Sequence, residues 1–503
     1  MTESRDRWPS KTIFIFAAIG SAVGLGNIWR FPYLVGKYGG GAFLFPYLLL
    51  LFLFGIPLLI LEFSLGQKMQ QGAVGAMKRI RKSFSGIGLG AICCSFFVAC
   101  YYAVVMAWCL LYCFYSVNIA WGDDPSTFFF ENVLQSSSSP NEMWMIPTHV
   151  LAALVFVWVC VYFCIWKGVR SVSAVVTITM PLPVILLIIL LIRGVTLPGA
   201  MDGLIYYVKP DFQALLNTEV WMAALTQIFF SLSVGFGVMI AYGSYEKKTS
   251  DIVKSAYIIA VSDAAIAILS GLVVFSTLGH MALQSGESLA KLAASGPSLA
   301  FIVFPKALSL IPGAAFFSVF FFLTLLLLGI DSLFSLVEAI STTLHDQWSF
   351  IRKEDLTLYV CTFSFIGGLI FTTTAGIYFL DISDHFITIY GIVTVSLLQS
   401  FVIGWGYPAG KLCEWINQVS VWKLSKWWSF AIRYFVPICL IVLLFTALYR
   451  DVTVPYGGYP KWAIIMMGWS TISLMIFLGL VYSFITTRKK STNPFHVDDK
   501  SYD

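Results

Sequence analysis

Apolar residues arrive in this chain in runs of about twenty, one after another from end to end, with only short polar connections between them. Such a run matches the hydrocarbon core of a bilayer, which takes roughly 20 helical residues to cross. Inside lipid every backbone polar group must find its partner within the segment, so continuous apolar runs leave one architecture open, a bundle of membrane-spanning helices. With 58% of the 503 residues hydrophobic and 11% charged, no polar stretch remains that could form a sizeable soluble domain.

The runs divide the chain into about twelve spans, near 11–36, 41–66, 87–117, 147–166, 173–193, 219–245, 251–280, 313–343, 356–375, 384–406, 430–449 and 462–487. Residues 1–10 and 488–503 read as short tails, and no small-residue cleavage pattern follows the first run. Basic residues test the division independently, because cytoplasmic loops hold most Lys and Arg. Arg5, Arg7 and Lys11 precede the first span; Lys68, Lys78, Arg79, Arg81 and Lys82 join the second to the third; Lys411, Lys423, Lys426 and Arg433 join the tenth to the eleventh. Both termini are therefore expected in the cytoplasm, with the chain a multi-pass protein of the plasma membrane. The net charge of +5 follows from this topology and is no sign of a nucleic-acid partner.

All ten cysteines fall in or beside apolar runs, as Cys93, Cys94, Cys100, Cys109 and Cys113 do around the third, and read as helix-packing residues. The 118–146 connection has no cysteine and the chain no Asn-x-Ser/Thr sequon, which argues against a disulfide-bonded, glycosylated ectodomain.

Two spans carry small and polar residues where a regular helix would cross the midplane. The first holds Gly20-Ser-Ala-Val-Gly24-Leu-Gly26-Asn27 and the sixth Ser231-Leu-Ser233-Val-Gly235-Phe-Gly237. Either segment alone is explained by close helix packing. Five spans apart, and each with a neighbouring Asn or Ser, the two read as helices 1 and 6 broken at mid-membrane. The expected fold is thus an all-α integral membrane protein with two inverted five-helix repeats, spans 1–5 (11–200) and 6–10 (201–410), followed by spans 11 and 12 (411–487). Asn27, Arg30, Asp263 and Asp331 also lie inside spans, where an unpartnered charge costs roughly 2.5–3.5 kcal/mol. Asp263 and Asp331, with Ser231, Ser332 and the carbonyls of broken helices, make an oxygen set suited to a hard monovalent cation. No nucleotide-binding loop or soft-metal pattern is present, so an ion gradient is the expected energy source.

The run Gly20–Pro32 with Gly39-Gly-Gly-Ala-Phe-Leu-Phe-Pro-Tyr47 resembles the first two helices of the neurotransmitter:sodium symporter family. Similar in the same way are Tyr101-Tyr102, Gln227–Gly237, Val274-Phe-Ser-Thr-Leu-Gly-His-Met-Ala282 and Leu328-Gly-Ile-Asp-Ser332, in the family's order over nearly the whole chain. The resemblance implies symport of a small-molecule substrate with two sodium ions. One ion would meet the Ala22 carbonyl, Asn27, Ser231, Asp263 and the substrate's carboxylate. The other would meet carbonyls of Gly20, Val23 and Leu328 with Asp331 and Ser332. The substrate carboxylate would face the amides of Leu25 and Gly26 and the Tyr102 hydroxyl, and its ammonium the carbonyls of Ala22 and Ser231, aided by Ser233. Val98, Phe230, Phe236, Ser332 and Leu336 would line the side-chain pocket. The resemblance also implies two gates: outside, an Arg30–Asp384 ion pair over a lid of Tyr102 and Phe230, with Asp381 a second choice of partner; inside, Arg5 and Trp8, with Arg5 facing Asp346 near Tyr245.

Two departures from the family matter. Animal members have Asn where this chain has Asp263 and Ser where it has Ala267, at a chloride site that also uses the equivalents of Tyr47, Gln227 and Ser231. A carboxylate can stand in for chloride, so no chloride is expected here. Monoamine members place an aspartate where this chain has Gly24, which argues for an α-amino acid, and the apolar pocket argues for a neutral, hydrophobic one. The alternatives are a carrier of a non-α amino acid or betaine, and a non-transporting amino-acid sensor, for which the tails leave little room.

Overall fold

The structure is a computed structural model and describes residues 5–142, 145–292 and 296–488; the expected C-terminal tail from 489 onward lies outside the described residues. A helix or helix pair stands at each expected span. At the first, α1 (Lys11–Ala22) and α2 (Gly26–Lys37) are bent by 54° at the break. Next come α3 (Gly41–Met69), α4 (Lys82–Tyr115), α5 (Thr148–Ile165) and α6 (Val169–Val195). The sixth position holds two short helices, α7 (Thr218–Ser231) and α8 (Val238–Ser244). Then follow α9 (Ile252–Ser285), α10 (Ala314–Gln347), α11 (Lys353–Thr372), α12 (Gly376–Gly406), α13 (Lys426–Gly458) and α14 (Lys461–Arg488). Among the described residues ten helices are thus long and apolar enough to cross singly, eleven with the α1–α2 pair. Neither α7 nor α8 is long enough alone, because residues 232–237 between them are not helical.

Burial sorts the bundle. Of the most apolar stretch of α4 and of α12, 72% is buried, against 33% for α6 and α14, so the former are central and the latter form the wall. The wall displays large apolar side chains such as Phe156 and Phe163 on α5 and Ile185, Ile188 and Ile192 on α6. A continuous belt of that kind suits lipid rather than water. All ten cysteines are unpaired.

Helix starts follow local chemistry. Ser10 caps α1 by accepting from the Ile13 amide, and Asp251 caps α9 by accepting from the Lys254 amide. Most helices carry such order through the span. Among the described residues only α1–α2 and α7–α8 lose it within the span, and those two breaks face each other.

Candidate functional site

The first break begins where Val23 turns to extended backbone (φ −77°, ψ 114°), leaving carbonyls at the end of α1 without helical donors. The second is wound by positive φ at Ser233 (52°), Gly235 (83°) and Gly237 (77°). Serine rarely adopts such a φ, and the strain is held by its own hydroxyl, which donates to the Ser21 carbonyl at 2.8 Å. The Gly235 amide donates to Glu62 Oε1 of α3 at 2.9 Å, and Ser95 of α4 donates to the Phe236 carbonyl at 2.7 Å. Each break thereby supplies partners to the other and to the helices around it.

Two carboxylates complete the junction. Asp263 of α9 accepts from Asn27 Nδ2 at 2.8 Å through one oxygen and from the Ser231 hydroxyl at 2.6 Å through the other. Asn27 also accepts from the Gly24 amide at 3.2 Å, so it ties the broken backbone to the charge. Asp331 of α10 is arranged differently. Its Oδ1 accepts from Thr179 of α6 at 2.7 Å, whereas its Oδ2 is buried with no donor and aims at Gly20. A methyl on Gly20 would lie 2.9 Å from that oxygen. Ser332 Oγ sits 3.5 Å from the Val23 carbonyl and 3.4 Å from that of Leu328, beside the same oxygen set. A buried anionic oxygen without a donor, among carbonyls and a hydroxyl, fits a hard cation.

Between the breaks lies a cavity of about 30 Å³ lined by Ala22, Gly26, Val98, Tyr102, Phe230, Ser233, Phe236, Ser332 and Leu336, together with Ser21, Gly24 and Asn27. Nine of the eleven expected substrate residues line it; Leu25 and Ser231 are packed just behind. The Leu25 amide donates to the Tyr102 hydroxyl at 3.3 Å, so two of the three groups expected to meet a substrate carboxylate meet at one spot. Gly24 leaves no room for a side chain: a methyl there would be 2.9 Å from Ser332 Oγ and 3.1 Å from Tyr102 Oη.

The two ends of the site differ. At one end Arg5 Nη1 bonds Asp346 at 2.7 Å, Nη2 bonds Ser244 at 2.6 Å, and the guanidinium lies 5.1 Å from the Tyr245 ring centre. Trp8 is buried and donates to the Tyr242 carbonyl at 3.0 Å. At the other end the expected Arg30–Asp384 pair is not formed. Asp384 accepts from Tyr101 at 2.7 Å, and Arg30 lies over the Phe230 ring at 5.5 Å. Asp381 is no substitute, since it accepts from Tyr456 and Tyr459.

Sequence reasoning missed Thr179, Glu62 and the Glu338–Lys353 pair. Glu62 and Glu338 are carboxylates inside apolar runs, the same signal that marked Asp263. Glu338 accepts from Lys353 at 2.6 Å and from Tyr245 at 2.8 Å, next to the Arg5 contact. No sequence signal marks Thr179, whose hydroxyl matters only because α6 passes Asp331.

The family model for the sodium:neurotransmitter symporter family matches residues 5–124 and 121–489. An uncharacterised sodium-dependent transporter of Methanocaldococcus jannaschii is 40% identical over 489 residues, covering 97% of this chain and 98% of the relative. The human sodium- and chloride-dependent taurine transporter is 35% identical over 521 residues, covering 95% and 84%. The human sodium- and chloride-dependent neutral and basic amino acid transporter B(0+) is 34% identical over 562 residues, covering 98% and 87%.

Proposed function

The chain belongs to the sodium:neurotransmitter symporter family, and from that premise we propose that it carries a neutral, hydrophobic α-amino acid into the cell together with sodium. It is a transporter, not an enzyme, built of membrane helices. The observation that carries the finer reading is the junction of the two breaks, where Asn27, Ser231 and Asp263 meet beside the cavity and the unpaired Asp331 oxygen faces Gly20.

In this reading the substrate carboxylate takes the Leu25 and Gly26 amides and the Tyr102 hydroxyl, groups that favour an anion. Its ammonium takes the Ala22 and Ser231 carbonyls. One sodium ion sits with Ala22, Asn27, Ser231, Asp263 and the substrate's own carboxylate. The second sits with Gly20, Val23, Leu328, Asp331 and Ser332. The crowding at Gly24 supports a substrate bringing its own carboxylate, because an aspartate could not be seated there without displacing Ser332 and Tyr102.

Alternating access completes the scheme. Spans 1–5 (11–200) and 6–10 (201–410) act as inverted halves, and α7 with α8 counts as the one broken span that makes twelve. Both termini lie in the cytoplasm of the plasma membrane, so the Arg5–Asp346 and Trp8 contacts close the inner path. Arg30 and Asp384 pair when the outer path closes. Asp263 supplies the negative charge that chloride supplies elsewhere, and transport runs without chloride, unlike the two human relatives as they are named. A non-α substrate is the second reading, favoured by the similarity to a taurine transporter.

The test is uptake of labelled amino acids into proteoliposomes with and without an inward sodium gradient. Sodium-driven uptake of leucine-like or aromatic amino acids is the expected result. Uptake of taurine with none of an α-amino acid sinks the substrate assignment. Binding without any uptake sinks the carrier in favour of a sensor.

A further inference from the structure

A second and larger cavity, about 450 Å³ against about 30 Å³, shares no lining residue with the one between the breaks. It lies between the start of α4, the second half of α12 and the stretch Ile472–Ser483 of α14. Its walls are apolar, with Ile87, Val395, Ile472 and Met475 at the back. Its lips, Leu398 and Phe401 on α12 and Ile476 and Leu480 on α14, are exposed on the outer wall of the bundle. The groove therefore opens sideways into whatever surrounds the belt, which for a membrane carrier is lipid.

Its dimensions suit one acyl chain. From Ile472 to Ser483 the α14 wall runs 11 residues at about 1.5 Å each, roughly half of the ~30 Å hydrocarbon core. Gly90 and Gly391 leave the groove its width; a methyl on Gly90 would already be 3.3 Å from Val395. The rim is made by Ser83, Phe84, Gly406 and Ser483. Directly before it stand Arg81 and Lys82, both exposed, and the Arg81 guanidinium rests over the Phe84 ring at 5.9 Å. Among the described residues no carboxylate pairs with Arg81.

The rim also touches the end of the site that carries Arg5. Ser483 accepts from the Gly86 amide at 3.0 Å, joining α14 to α4, and its neighbour Tyr482 donates to Gln347 at 3.1 Å. Gln347 directly follows Asp346, the partner of Arg5. Asp346 in turn accepts from the Gly72 amide, at the start of the Ala73–Ile80 helix that leads to Arg81.

From this placement we propose that the groove between α4, α12 and α14 binds an acyl chain of an anionic phospholipid of the cytoplasmic leaflet, with the headgroup at Arg81, and that the bound lipid braces the Arg5–Asp346 closure. The proposal rests on the topology assigned above but not on the substrate. An apolar chain fills the groove, and the Arg81 cation selects the headgroup, contributing roughly fivefold. Filling the groove holds α14 against α4, and through Tyr482 and Gln347 it steadies the end of α10 that carries Asp346.

The experiment uses the full chain purified in mild detergent, stripped of lipid, then offered dioleoylphosphatidylglycerol or dioleoylphosphatidylcholine and examined by native mass spectrometry. Three variants accompany it: Thr394→Trp, which fills the groove; Leu398→Trp, at its exposed lip, in case the first does not fold; and Arg81→Gln. The expected result is retention of one phosphatidylglycerol about fivefold over phosphatidylcholine by the unaltered chain. Retention should fall at least tenfold in a folded Trp variant, and Arg81→Gln should lose the headgroup preference. Trypsin cleavage near Arg5 should be faster without lipid than with it, as a braced closure requires. Equal retention of both lipids, a folded Trp variant that keeps phosphatidylglycerol, or a second copy of the chain in place of lipid overturns the proposal. Sodium-driven uptake measured on the same preparation separates the two readings, since lipid selection without uptake removes the carrier function and leaves this site standing.

Discussion

Asp263 and Asp331 are both carboxylates buried in spans, yet they are held in opposite ways. Asp263 is saturated: Asn27 donates to one oxygen and Ser231 to the other. Asp331 is half-held, with Thr179 on one oxygen and nothing on the second. A saturated carboxylate organises its neighbours, here two broken helices. A half-held one in a buried setting takes up a cation or a proton. In the proposed sodium scheme this difference gives Asp331 the larger share of ion binding and Asp263 the larger share of site assembly.

The strongest way to break that comparison is Asp331→Ala. Removing the unpartnered Asp331 oxygen, which faces Gly20, should lower apparent sodium affinity by about a hundredfold, taking a charged contact at roughly 3 kcal/mol. Sodium titration of uptake in proteoliposomes measures it, and an effect smaller than that of Asp263→Ala inverts the assignment. Next come Asn27→Ala and Asp263→Ala, each expected to weaken sodium-dependent substrate binding at least tenfold, read by scintillation proximity; unchanged sodium dependence in both removes Asp263 from the site. Thr179→Val sharpens the contrast from the side. It frees the second Asp331 oxygen and should change apparent sodium affinity roughly fivefold, about 1 kcal/mol for one hydrogen bond. The smallest effect is expected from replacing chloride by gluconate, with uptake unchanged within about twofold, well under 1 kcal/mol. Loss of uptake in gluconate shows that the Asp263 charge does not replace the anion.

Much of the fold was legible because lipid makes strict demands. A run of apolar residues such as 251–280 can only be a helix there, and α9 occupies it. The breaks were legible for the same reason, since Gly24 and Gly235 are poor choices for an uninterrupted span. Asn27, Asp263 and Asp331 stood out as polar groups in hydrocarbon. Glu62 and Glu338 carried the same mark and were overlooked, while Thr179 carried none, because a threonine in a span is commonplace. The Arg30–Asp384 pair shows a different limit. Both residues are where the reading put them, but Tyr101 holds Asp384, and which partner a carboxylate takes depends on the conformation of the whole bundle.

The amino-acid order by itself determined the class of fold, the places where helices give way, and the charges that face inward, because a bilayer penalises every exception and so makes each one visible. Only the tertiary structure decided which oxygens are shared and which are free, where Ser233 and Ser21 clasp, and that α4, α12 and α14 leave a groove between them. Those outcomes depend on distances of an ångström or less between segments far apart in the chain, and a hydropathy pattern carries no information at that scale.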